Sequence, residues 1–401
     1  MRVFSILFVV GCGQVRDDDR PNLKVAYFQS DATPPVGHPV FGKPIRVIEE
    51  PLLLKGVVLD DRGTRYVLAA LDWCTTRTRA YEAFRRALAQ AAATRESSVA
   101  VQCVHTHSAP FDGDITDEFL KESTDRAAAA VRDAVTRLGT FTHVGAGRAK
   151  VEEFASNRRV PGKEGKIRVR YSATKDASLR AEPEGLVDPW LRTITLLHGA
   201  RPLLRMHYYA SHPQSFYGDG RCHPDTPGWA RARLEKEEGI PHVYFTGCGG
   251  NITAGKYNDG SPEARARLID RLTEGMRRSV AGTVAHEART LHWRIVPVRF
   301  PAMQVAGATC PIVWPPIELS RLTLGPAEIV HLPGEPFVEY QLFAQERRPD
   351  RFVAVAGYGD GGPGYLCTDA AYGEGGYEPT ASRVVPPIES VLKAAIAELL
   401  K

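Results

Sequence analysis

SSVAVQCVHTHSAP, residues 97–110, is the stretch from which the fold is read outward. Its first half is a short apolar run with the length of a buried strand. Its second half sets His105 and His107 two residues apart where the run ends. Residues i and i+2 of a strand share a face, so both imidazoles can point into one cleft. Three readings stay open at this point. Both hold a metal; one holds it while the other serves as acid, base or orienter; or both are polar residues where a strand leaves the core. The pair lacks the following Asp-His of the H-x-H-x-D-H metallohydrolase pattern.

Around this stretch, strands and helices alternate. LLLKGVVLDD (52–61) and RYVLAALDW (65–73) read as two strands joined at Asp61-Arg62-Gly63. TRAYEAFRRALAQAAAT (78–94) reads as a helix. TDEFLKESTDRAAAAVRDAVTRLG (116–139) reads as another, stopping at Gly139. LRTITLLHG and RPLLRMHYYASH form a hairpin about Gly199-Ala200-Arg201. Further helices follow at 228–239 and 262–284, with a terminal helix at 388–401. Strands fall at 241–247, 291–300, 321–332 and 351–359. Strands followed by helices predict a layered α/β fold, and the hairpins among them predict a mixed β-sheet with flanking helices. No Pro/Gly/Ser-rich linker divides the chain, so a single catalytic domain over 22–401 is expected.

Four strand ends carry metal-ligand residue types. They are His105-Thr106-His107, His212-Pro213, Glu335 after AEIVHLPG, and Tyr365 in the Gly-rich loop after RFVAVAGYG. Sites in open α/β sheets gather beyond the carboxyl ends of strands. Two imidazoles and a carboxylate are a usual zinc set, with a position left for water or substrate. Spacing alone does not favour Tyr365 over Tyr358 or Tyr372.

Composition removes other classes. Of 401 residues, 43% are hydrophobic and 24% charged, and 51 basic against 47 acidic residues leave a net charge of +4. No basic block with interleaved aromatics marks a nucleic-acid surface, so no nucleic-acid partner is expected. No apolar run reaches the ~18 residues of a membrane span. MRVFSILFVVGCG does have the order of a secretory leader, and VVGC resembles a lipobox ending at Cys12. The expectation is a leader and tether over 1–21, export to the periplasm or cell surface, and a lipid anchor on Cys12 that gives peripheral membrane contact. The other six cysteines are scattered, with no C-x-x-C pair for a cysteine zinc site.

Taken in order, several motifs resemble the neutral/alkaline non-lysosomal ceramidase family. SDATPPVG is similar to its opening strand and turn, and HTHSAP to its H-T-H-S-G-P. SNRR, YASHPQS, CHPDTPGWARARLE, LPGEP and GPGYLCTDAAY are similar to later family segments. The resemblance spans roughly residues 25–380. It implies a zinc amidase that splits ceramide into sphingosine and a fatty acid. It implies His105, His212, Glu335 and Tyr365 as zinc ligands, and His107 and Arg158 as catalytic or substrate-contacting groups. Two departures stand out. In GCGGNITAG, Thr253 stands where the family has a serine near the scissile amide, and Asn251 where it has an aspartate. The chain also ends before the family's C-terminal β-sandwich.

The resemblance implies hydrolysis of an N-acyl substrate, small molecule or lipid, with Zn2+ as cofactor; no protein partner is expected. On this reading His107 would move protons, Arg158 would stabilise the oxyanion or orient the substrate, and Thr253 would be a weak nucleophile or a positioning group. Two alternatives share the scaffold: a hydrolase of a different N-acyl or ester substrate, and an inactive metal-containing surface binding protein.

Overall fold

A computed structural model of the chain describes residues 23–304, 310–359 and 361–401. The expected leader and Cys12 lie outside the described residues. Two sheets face each other. The larger has nine strands, in the order Leu291–Val298, Ile317–Leu324, Ala327–Pro333, Phe352–Gly359, Val99–Cys103, Thr64–Leu71, Leu53–Asp61, Leu23–Asp31 and Gly139–Thr140. The smaller has five: His242–Thr246, Arg201–Tyr209, Trp190–His198, His143–Lys150 and Val284–Glu287. Both are mixed, as the hairpin pattern predicts. The Arg62-Gly63 turn has both residues at positive φ, which suits a two-residue hairpin loop. The Gly199 hairpin also forms, pairing Trp190–His198 with Arg201–Tyr209.

Strand alternation builds the layers. In Thr64–Leu71, Leu68 and Ala70 enter the core between the sheets, beside Ile194, Leu196 and Met206 of the smaller sheet. Val67, Ala69 and Leu71 face the other way, onto the helices Thr78–Ala92 and Asp117–Thr136. The second of these helices ends at Thr136, and Gly139 begins an edge strand instead of stopping the helix. Val338–Arg347 and Ile388–Leu399 cover the remaining strands on that face. Asp225–Glu238 and Pro262–Ala281 cover the outer face of the smaller sheet. The resulting order is helix, sheet, sheet, helix. Among the described residues, no helix is long and apolar enough to cross a membrane, and no disulfide forms.

One detail of the large sheet places the site. Its two halves meet through a single antiparallel pair, Gly359 opposite Gln102, near the carboxyl ends of both strands. A Cβ on Gly359 would come 1.9 Å from Gln102 Oε1, so any larger residue would have to displace that side chain. The loops leaving both strands therefore open on the same spot. The smaller sheet is tied to it by the Thr246 hydroxyl, which donates to the Val104 carbonyl at 2.6 Å, one residue before His105.

Candidate metal centre

His105 leaves its strand in a left-handed conformation, φ 71°. Its Nδ1 lies 2.8 Å from the Cys74 carbonyl. A carbonyl only accepts, so Nδ1 carries the proton and Nε2 keeps a lone pair. His212, three residues beyond Arg201–Tyr209, repeats the arrangement with the Gly249 carbonyl at 2.6 Å. Both Nε2 atoms face Glu335 Oε2, at 3.2 and 3.4 Å. That oxygen is buried without a hydrogen-bond partner. With both rings neutral, three acceptors converge here with no proton between them. In a buried setting such an array calls for a cation, and the donor set His, His, Glu suits zinc. His105, His212 and Glu335 form a group whose ligand atoms lie close enough to hold one metal ion.

Burial alone would raise the Glu335 pKa, but His105 and His212 outweigh it and hold the carboxyl well below the ordinary value. Burial, with Arg158 nearby, lowers His212 to about 4. Neutral imidazole beside ionised carboxylate is the ligand form a metal needs.

The structure distinguishes the tyrosines. Tyr365 Oη lies 3.3 Å from His212 Nε2, on the side of the converging lone pairs. Tyr358 Oη lies 3.4 Å from His212 Nδ1, behind the ring. Tyr372 is turned away and donates to the Val384 carbonyl. Burial raises the Tyr365 phenol pKa well above its ordinary value.

His107 Nε2 is 3.2 Å from His105 Nε2. On its other side the Gln214 amide donates to Nδ1 at 3.1 Å, and the Gln214 oxygen accepts from Ser172 Oγ. This arrangement leaves the His107 proton on Nε2, toward the cluster. Burial among His105 and His212 holds His107 neutral, with its pKa well below the ordinary value. Arg158 donates from Nε to Glu378 at 2.8 Å and from Nη2 to the Gly250 carbonyl at 2.7 Å. Its guanidinium packs on the rings of Tyr365 and Tyr377. Burial opposes its charge, yet Tyr365 and Glu378 raise its pKa.

Thr253 lies one residue beyond Ile252, whose carbonyl also reaches His212 Nδ1. Its hydroxyl turns into the following loop and accepts from the Gly255 N–H at 3.2 Å. Asn251 bonds the start of helix Val338–Arg347 through the Val338 N–H. The glycines before it are required by close approach. A Cβ on Gly250 would sit 2.4 Å from the Glu335 carbonyl, and one on Gly249 would sit 2.9 Å from Tyr358 Oη.

A cavity of about 390 Å³ opens beside the cluster, lined by His107, Arg158, Tyr365, Gln214 and Tyr377 among others. Thr253 does not line it. Gln214, Tyr377 and Glu378 escaped the sequence reading, and Tyr358 entered it only as an alternative to Tyr365. Gln214, two residues after His212, had a spacing signal; Tyr377 and Glu378 had none.

No protein-family model matches the chain, and no curated protein sequence does. Solved structures do. A ceramidase complexed with C2 superposes with a TM-score of 0.73 at 13% identity, covering 94% of this chain and 74% of that one. The neutral ceramidase from Pseudomonas aeruginosa superposes with a TM-score of 0.72 at 14% identity, covering 95% of this chain and 74% of that one. The chain has the neutral ceramidase fold. At such identity the likeness speaks to the fold, and the chemistry has to be argued from the residues.

Proposed function

We propose that this chain is a zinc-dependent hydrolase that cleaves the amide bond of an N-acyl compound. The observation that carries the reading is the buried, unpartnered Glu335 Oε2 facing two imidazole lone pairs. The fold shared with ceramidases supports it, since those proteins are amidases by name. His105, His212 and Glu335 would hold the ion, with Tyr365 beside them. A divalent ion there supplies Lewis acidity to the scissile carbonyl and a lowered pKa to water.

The chain's own residues do the rest. Water oxygen bonds to the acyl carbon, the C–N bond breaks, and the amine leaves with a proton. The proton the amine gains comes from that water; His107, a neutral ring whose Nε2 N–H faces the cluster, donates a hydrogen bond to the reacting oxygen and keeps its own proton. Arg158 keeps a fixed positive charge in the cavity wall, where it steadies negative charge on the carbonyl oxygen. Thr253 acts as a positioning group, because its hydroxyl holds the loop whose Ile252 carbonyl orients His212.

The test is metal analysis of the purified chain together with a hydrolysis screen of N-acyl amines and esters. Stoichiometric zinc and amide turnover are expected, with both lost in His105→Ala and in His212→Ala. Full zinc occupancy in both variants would overturn the site. Zinc without turnover on any substrate would favour a binding protein.

A further inference from the structure

The cavity wall has an uneven chemistry. Phe41, Tyr171, Tyr217 and Tyr377 line it while exposed by 42–53%, and they are four of the ten large apolar side chains that the described residues leave exposed. Three cations, Lys43, Arg158 and Arg221, line it too, and no carboxylate does among the described residues. Two of these cations already have carboxylate partners. Arg158 is paired with Glu378, and Arg221 with Asp219 and Glu49. Lys43 has no carboxylate partner among the described residues. Its Nζ reaches only the Gly218 carbonyl, at 3.4 Å, across the cavity mouth.

The local backbone keeps Lys43 there. It belongs to a short hairpin, Pro39–Val40 paired with Lys43–Pro44. The turn residues Phe41 and Gly42 both have positive φ. The Asp114 carboxylate accepts from the Phe41 and Gly42 N–H groups at 2.6 and 3.2 Å. Phe41 stacks on His107 with planes 5° apart, which ties the hairpin to the reacting end of the cavity.

We propose that the substrate is an anionic N-acyl compound, an amide whose outer half ends in a carboxylate or phosphate that Lys43 receives at the cavity mouth. The inference rests on the amidase reading above. A cation without an acid, set among aromatic rings at the mouth, favours an anion with an apolar body. The volume is at the lower end of the ~300–1,000 Å³ usual for small-ligand sites. It suits a compact amide better than a lipid with two long chains.

The experiment uses the zinc-loaded full chain and four matched substrates: N-octanoylglycine, N-octanoyl-O-phosphoethanolamine, neutral N-octanoylethanolamine and a short-chain ceramide. The two anionic members are expected to exceed both neutral ones by about tenfold or more in kcat/KM, the scale of one charge-assisted hydrogen bond. The advantage should shrink with added salt. Lys43→Gln should bring the anionic-to-neutral ratio toward one, and Lys43→Glu should invert it. Carboxylate and phosphate arms show which anion is preferred. Equal rates across the panel, unchanged by Lys43→Gln, would overturn the anionic class and leave the amidase standing. If no member is hydrolysed, the amidase reading fails. Titration calorimetry of N-octanoylglycine against N-octanoylethanolamine then decides the anion preference, and equal affinities would overturn it.

Discussion

Tyr358 lies flat against His105, with ring centroids 4.2 Å apart and planes 23° apart. Both residues adopt the left-handed backbone region, at φ 61° and 71°. That region is costly for bulky side chains, and such strain persists only where the surroundings impose it. The Tyr358 hydroxyl also lies behind His212, 3.4 Å from Nδ1. One side chain therefore backs both imidazoles.

Groups that orient metal ligands typically matter by 10–100-fold in affinity. Tyr358→Ala should weaken zinc binding on that scale, as read by chelator competition. Tyr358→Phe keeps the ring against His105 and should stay within a few-fold of wild type. Equal affinity in all three proteins would remove Tyr358 from the support of the site.

Glu335→Gln should have opposite effects with and without metal. The amide can donate a hydrogen bond to an imidazole lone pair where the carboxylate cannot. The metal-free variant should melt above the metal-free wild type. Zinc at a hundredfold its Kd should add about 2.7 kcal/mol to the wild type and little to the variant. Thermal melts with and without chelator read the crossing.

Thr253→Ala separates the two roles of that side chain. Losing the bond to the Gly255 N–H should cost about 1 kcal/mol of stability, with zinc retained and turnover reduced modestly. Complete loss of turnover with zinc retained would make the hydroxyl the nucleophile. Thr253→Ser should restore both stability and rate.

Stability should fall with acid through histidines away from the metal. Burial lowers His331 to about 3, and burial with Arg205 and Lys55 lowers His242 to about 3. Folded, both stay neutral; unfolded, each takes a proton below about 6.5. Between those limits the unfolded state binds more protons, so each histidine removes up to about 1.4 kcal/mol per pH unit as pH drops. Above pH 7 neither contributes a slope. Urea unfolding at pH 7, 5.5 and 4.5 should show the loss, and His331→Leu should reduce the slope by one proton.

The alternation of strands and helices made the layers legible, and HTH at the end of an apolar run marked one corner of the site. His212, Glu335 and Tyr365 were legible as positions on strand ends. Their orientation was not, because it depends on what lies behind them. Nothing near His212 in sequence tells that the Gly249 carbonyl will accept a hydrogen bond from its Nδ1. Arg158 meets Glu378 across 220 residues, and such pairing is a property of packed layers, not of local pattern. The mixed strand pattern and flanking helices were legible; the division of the strands between a nine-stranded and a five-stranded sheet was not. Lys43 sat in a short hairpin without periodicity, and only the cavity wall gives it meaning.

The Thr246–Val104 bond between the sheets bears on the order of folding. His105, Glu335 and Tyr365 follow strands of the large sheet, and His212 follows a strand of the small one. A chain whose sheets have not yet docked offers only part of the ligand set, and its grip on an ion is correspondingly weak. Tight capture of an ion there would therefore come last, and a loaded molecule would by that fact be one that has finished assembling.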